Sequence, residues 1–207
     1  TLSLHDALPI FLGKAAKVLD KIKVICPLHG PVWRDDFPYL LDKYQRWSTY
    51  TPEEKGVLIA YSSMYGNTEA AAQNLASKLC EKGVTNIRVC DVSSTHVSEL
   101  ISQTFKLSHL VLASVTYNLG IYPVMLDFLE HMKALHVQKR TIALIENGSW
   151  AVKSGDLMQE FIDNNLADMT ILNERLSLAS AMHDDKAVEL EHLADALVES
   201  INNTDVK

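Results

Sequence analysis

The chain has 207 residues, a formal net charge of −7 and 47% apolar side chains, enough for one full domain with a remnant of another. The acidic balance, without any basic run, excludes nucleic acid and anionic membrane as expected partners. No apolar stretch approaches the roughly 18 residues that span a bilayer, and the N-terminus lacks the basic-then-apolar order of a signal peptide, so a cytoplasmic location is expected. Three cysteines, Cys26, Cys80 and Cys90, share no C-x-x-C spacing; they indicate neither a disulfide framework nor a thiolate metal site, and each reads as a small buried apolar residue.

Residue 1 is Thr, not Met, which suggests a fragment or a processed chain, and residues 1–9 show no usable periodicity. They are left unassigned, with foreign sequence at a truncated end as one reading. From Ile10 the pattern is helical through Phe11, Ala15, Val18, Leu19 and Ile22, and Ile22 to Cys26 reads as a strand. That strand ends in Pro27-Leu28-His29-Gly30-Pro31-Val32-Trp33-Arg34. Taken alone, His29 reads as a loop residue, since one imidazole makes no metal site. Residues 35–55 carry a helical stripe after Pro38 (Phe37, Leu40, Leu41, Tyr44, Trp47) and then a polar, hydroxyl-rich linker, where a domain boundary is expected.

The stretch from Gly56 to Lys82 organises the rest of the chain. Val57 to Tyr61 is a short apolar strand, Ser62-Ser63-Met64-Tyr65-Gly66-Asn67-Thr68 a hydroxyl, amide and glycine loop, and Glu69 opens an amphipathic helix. Such a junction aims backbone N–H groups and helix N-terminal donors at one spot, which suits an anion. The loop has no Lys or Arg and matches neither G-x-x-x-x-G-K-[ST] nor G-x-G-x-x-G, so a single terminal phosphate of a mononucleotide fits it better than a triphosphate or dinucleotide. The bland alternative is an ordinary turn capped by Asn67 and Thr68.

Further strands are predicted over Ile87–Asp91, Leu107–Val115, Thr141–Glu146 and 169–178, the last interrupted. Helices are predicted over His96–Phe105 (capped by Ser93, Ser94 or Thr95), Val124–Leu135, Ser154–Asn165 (capped by Ser154) and Ala187–Ile201. Strands alternating with helices imply an α/β, doubly wound, five-stranded parallel sheet of order 2-1-3-4-5, with ligands beyond the carboxyl ends of the strands. Two more loops belong to that edge. Thr116-Tyr117-Asn118-Leu119-Gly120 offers an aromatic plane and polar partners for a ring, and Asn147-Gly148-Ser149-Trp150-Ala151 combines a close backbone approach with a large polarisable plane.

The segment from Ile59 to Glu69 resembles the FMN phosphate loop of the flavodiiron proteins, or A-type flavoproteins, and the loops at 116–120 and 147–151 are similar to that family's flavin loops. Pro27 to Arg34 resembles the end of its metallo-β-lactamase-like domain, which implies that His29 is one iron ligand. The resemblance divides the chain into a remnant of that domain at 10–34, a helix and linker at 35–55, a flavodoxin-like FMN-binding domain at 56–203 and a tail at 204–207. It implies FMN as cofactor, with Ser62 to Thr68, Thr116 to Gly120 and Asn147 to Ala151 binding it, and a di-iron centre only in the intact protein, because the family's H-x-E-x-D-H cluster is absent. It further implies an electron-transfer role in reducing O2 to water or NO to N2O, a rubredoxin-like or flavin-reductase redox partner, and a homodimer when intact. The alternatives are a free-standing flavodoxin-like FMN oxidoreductase such as a quinone reductase, which leaves Pro27 to Arg34 unexplained, and a cofactor-free binding or signalling domain of the same fold. A phosphoacceptor domain would want acidic residues where this chain has Ser62-Ser63 and Val115-Thr116.

Overall fold

A computed structural model describes residues 10, 13–14 and 17–206. The chain divides into two compact units, Thr1–Glu53 and Glu54–Lys207. Residues 1–9 and the helical positions Phe11 and Ala15 lie outside the described residues.

In the first unit a 3-10 turn spans Leu19–Lys21, and Ile25 pairs with Trp33 as a single antiparallel bridge, each N–H donating to the other's carbonyl at 2.9 Å. The strand expected over Ile22–Cys26 is therefore reduced to one pair. Pro27 and Pro31 sit inside the connecting loop and have no N–H to extend a ladder. Helix α1 (Phe37–Thr49) has Pro38 in its first turn, where a missing N–H costs nothing, and stops at Tyr50, whose left-handed backbone turns its N–H back onto Arg46 and Trp47. Trp47 Nε1 donates to Glu53 at 2.6 Å, and Lys43 pairs with the same carboxylate.

The second unit holds strands β1 (Glu54–Ser62), β2 (Ile87–Asp91), β3 (Leu107–Tyr117), β4 (Gly120–Ile121), β5 (Thr141–Asn147) and β6 (Thr170–Leu178). Its helices are α2 (Asn67–Glu81), α3 (Val97–Lys106), α4 (Pro123–Ala134), α5 (Ser154–Asn165) and α6 (Ala187–Asn203). The sheet runs β2-β1-β3-β5-β6, all parallel, with β4 pairing antiparallel to the end of β3. Counted by its parallel strands alone, that is the expected flavodoxin-like order 2-1-3-4-5; the two-residue β4 is the addition. Val57, Ile59 and Tyr61 pack with α2 and α6 on one face, while Leu58 and Ala60 pack with α3, α4 and α5 on the other. Burial on both faces is why the central strands read as unbroken apolar runs. The order reverses between β1 and β3, which opens a crevice at their carboxyl ends.

Details differ from the sequence expectations. β6 is continuous, its apparent interruption being a register shift opposite Ile142 and Leu144. Helix α3 is capped by His96, whose Nδ1 accepts the Ser98 N–H at 3.2 Å, instead of by Ser93, Ser94 or Thr95. Ser94 donates instead to Asp91. Ser154 is the first residue of α5 and its hydroxyl donates to the Ser114 carbonyl, so it caps nothing. Cys90 is buried, but Cys26 and Cys80 are exposed, one beside the bridge loop and one on the outer face of α2. Among the described residues no helix is long and apolar enough to cross a membrane.

Candidate functional site

The loop from Ser62 to Thr68 joins β1 to α2 at the point where the strand order reverses. Ser62 is buried and its hydroxyl donates to Ser114 at 3.3 Å, tying β1 to β3. Ser63 Oγ accepts the Gly66 N–H at 3.0 Å, which curls the loop over Met64 and Tyr65; the Tyr65 side chain is 87% exposed. Gly66, at φ 86°, precedes the helix, and a Cβ there would meet open space, so its backbone angle and not crowding calls for glycine. No side chain caps α2. The N–H groups of its first turn have no acceptor within the helix, and this is the arrangement that receives an anion. Glu69, also in that turn, accepts the Tyr61 hydroxyl at 3.2 Å. Burial, reinforced by the Glu69 charge, pushes the Tyr61 phenol up to about 12.

The second loop is a tight hairpin. Thr116 faces Ile121 and Tyr117 faces Gly120, with Asn118 (φ 48°) and Leu119 (φ 61°) as the two turn residues. Positive φ at both positions is the geometry that matches strand twist, but Leu adopts it at a steric cost. The turn holds the Leu119 side chain 71% exposed, and Tyr117 packs edge-on against Tyr122 with ring centres 5.8 Å apart.

In the third loop the Gly148 N–H donates to the Leu178 carbonyl at 3.1 Å, and a Cβ on Gly148 would run into the Ala151 carbonyl and lie 3.1 Å from Thr116 Oγ1. The close approach that glycine permits is thus the loop folding on itself. Ser149 and Trp150 are exposed, the indole fully so, and Ala151 is half-buried. Beyond them, Thr116 Oγ1 accepts the N–H groups of Lys153 and Ser154, and the Glu146 carboxylate accepts that of Gly155 at 2.9 Å. Glu146 also accepts the Ser177 hydroxyl at 2.6 Å and lies 3.6 Å from Arg175. The start of α5 is therefore satisfied by the protein, whereas the start of α2 is not. The starts of α2 and α5 divide accordingly into one open to a ligand and one positioned by protein groups.

Sequence reasoning missed two contributors. Ser180, beyond β6, reaches the first loop through Asn67 Nδ2 (3.3 Å) and is held by Asn147. Glu146 reads in the sequence as an ordinary strand end. A serine in a polar turn gives no local signal, although any loop after the carboxyl end of a parallel strand borders the crevice.

No family model matches the chain. It is 28% identical over 151 residues to an uncharacterised protein of Methanocaldococcus jannaschii, covering 73% of this chain and 38% of that one. It is 28% identical over 147 residues to the rubredoxin-oxygen oxidoreductase of Megalodesulfovibrio gigas, covering 70% and 36%. Over 156 residues it is 25% identical to the anaerobic nitric oxide reductase flavorubredoxin of Aeromonas salmonicida, covering 73% and 30%. The chain's homologues are flavodiiron proteins. Its fold agrees with theirs: the rubredoxin oxygen:oxidoreductase of Desulfovibrio gigas superimposes with a TM-score of 0.80 at 20% identity, over 94% of this chain and 49% of that one. The Giardia intestinalis flavodiiron protein gives 0.76 at 20% identity, over 94% and 49%. An archaeal flavodoxin gives 0.59 at 19% identity, covering 72% of this chain and all of the flavodoxin. This chain therefore spans well under half the length of the curated flavodiiron relatives it matches.

A flavin mononucleotide fits the residues present: the uncapped α2 start and its hydroxyl loop suit a phosphate, and the loops after β3 and β5 carry the exposed aromatic planes of Tyr117 and Trp150. By themselves the described residues do not complete a di-iron centre. Among the described residues no three His, Cys, Asp or Glu side chains gather into a metal site, and His29 stands exposed in the loop between Ile25 and Trp33.

Proposed function

We propose that residues 56–203 form an FMN-binding electron-transfer domain of flavodiiron type. The observation that carries the reading is the α2 N-terminus: an uncapped helix start behind a hydroxyl loop without basic residues, at the switch point of a flavodoxin-like sheet. Ser63, Gly66, Asn67 and Thr68 bind the phosphate through hydroxyl and backbone donors, with Ser62 anchoring the loop and Met64 and Tyr65 forming its outer rim. Thr116 to Gly120 and Gly148 to Ala151 line the ring from the neighbouring strand ends, with the Asn147 side chain buried behind them and Tyr117 and Trp150 supplying planar surfaces and shielding it from water. Bound FMN supplies reversible one- and two-electron transfer, chemistry that no side chain of the loop offers.

In the intact protein this domain would pass electrons to a di-iron centre that reduces O2 to water or NO to N2O, with His29, in a remnant at 10–34, as one iron ligand. The relatives' descriptions support both substrates, since one is a rubredoxin-oxygen oxidoreductase and others are nitric oxide reductases. A rubredoxin-like protein or a flavin reductase would reduce the flavin, and two subunits would pair in the cytoplasm. The test is to purify the 207-residue chain with FMN. One tightly held flavin per chain supports the reading, and a colourless protein after exposure to excess FMN overturns it.

A further inference from the structure

Asn147 ends β5 within the loop expected to border the ring, yet its side chain is 3% exposed and fully engaged. Its Oδ1 accepts the Ser180 N–H at 2.9 Å while its Nδ2 donates to the Ser180 carbonyl at 2.8 Å. That pair grips one residue's backbone from both sides and fixes which end of the amide is which. The same Nδ2 lies 3.4 Å from the hydroxyl of Thr68, which is 1% exposed. An amide N–H can only donate, so the Thr68 oxygen accepts and its own proton is left to be given elsewhere. Ser180 in turn sits at φ 79°, strained for a residue with a side chain, and its hydroxyl meets the Asn67 amide at 3.3 Å. One residue beyond β6 thus touches the first residue of α2, and one at the end of β5 touches the second.

We infer that Asn147 and Ser180 are positioning residues for the phosphate, setting how strongly the site prefers a phosphorylated over an unphosphorylated flavin; the inference rests on the proposed FMN site. Asn147 keeps Thr68 a proton donor, and Ser180 holds the Asn67 side chain to one side of the open helix start. The grip on Ser180 also keeps strained backbone from relaxing, so the two residues act as one clamp. Neither needs to touch the ring.

The test titrates FMN and riboflavin separately into the full chain and into Asn147→Leu and Ser180→Gly, following flavin fluorescence. Glycine adopts positive φ freely, so Ser180→Gly keeps the fold while removing the hydroxyl. The expected result is an FMN dissociation constant raised roughly threefold to tenfold in each variant, with riboflavin changed by less than about twofold. If Asn147→Leu does not fold, Ser180→Gly decides alone. Equal weakening of both flavins, or an unchanged FMN-to-riboflavin ratio, overturns the clamp while leaving the FMN reading intact. A wild-type chain that binds neither flavin overturns the FMN reading, and the inference falls with it.

Discussion

The Thr116 hydroxyl oxygen accepts the Ser154 backbone N–H at 3.1 Å and that of Lys153 at 3.0 Å, so the end of β3 caps the helix that follows β5. A cap supplied from another strand locks two loops of the crevice together. Replacing Thr116 by Val should lower stability by about 1–2 kcal/mol, the usual cost of a lost N-terminal cap, while Thr116→Ser should retain most of it. Urea unfolding measures both, and a Thr116→Val chain as stable as wild type would show that the N–H groups find other acceptors.

Gly155 sits where a Cβ would overlap the Glu146 carboxylate and fall 2.9 Å from Arg175 Nη1. Gly155→Ala is therefore expected to cost about 1–3 kcal/mol through overpacking against a buried, hydrogen-bonded group. A thermal midpoint unchanged by Gly155→Ala would mean that the Glu146–Arg175 pair yields without cost.

Trp150 makes no packing contribution to the fold, since its side chain is fully exposed. Trp150→Leu should leave the unfolding free energy within about 0.5 kcal/mol of wild type. Riboflavin affinity, in contrast, should fall by roughly 1 kcal/mol through loss of an aromatic surface. A variant that binds riboflavin as tightly as wild type would remove Trp150 from the ring site.

His109, buried in β3 with its ring nitrogens 2.8 Å from the Ser108 hydroxyl and 2.9 Å from that of Ser200, is pushed down to about 4 by burial. Its contribution is fully present above the unfolded value near 6.5. As pH falls from there to about 4, the unfolded chain takes up a proton that the folded one refuses, and up to about 3 kcal/mol is lost. Stability measured from pH 7.5 to 4 should fall less steeply in His109→Gln than in wild type. Parallel curves would exclude His109 as the titrating group.

What the sequence makes legible depends on burial. Val57 to Tyr61, Leu110 to Ala113 and Ile142 to Ile145 are covered on both faces, so each strand announces itself as an apolar run, and the alternation with amphipathic helices then yields the sheet order. The three crevice loops are legible because strand ends of a parallel sheet share one edge. The hairpin at Asn118-Leu119 is hidden because a leucine at positive φ breaks the turn residue code. The cap that Thr116 provides, the grip of Asn147 on Ser180 and the binding of Gly155 by Glu146 all join residues from different elements, and local pattern carries no trace of them. Ile22 to Cys26 looks like a strand by composition, but flanking prolines leave one bridge of it.

We propose that the helix start at Asn67 and the hydroxyl of Thr68 receive a flavin phosphate. Calorimetric titration of FMN into the wild-type chain and into Thr68→Val tests it most directly. One FMN per wild-type chain is expected, with binding weaker by roughly 1–3 kcal/mol in Thr68→Val, the worth of a buried hydrogen bond to a charged group. No heat of binding with wild type, or equal affinity in the two proteins, would contradict it.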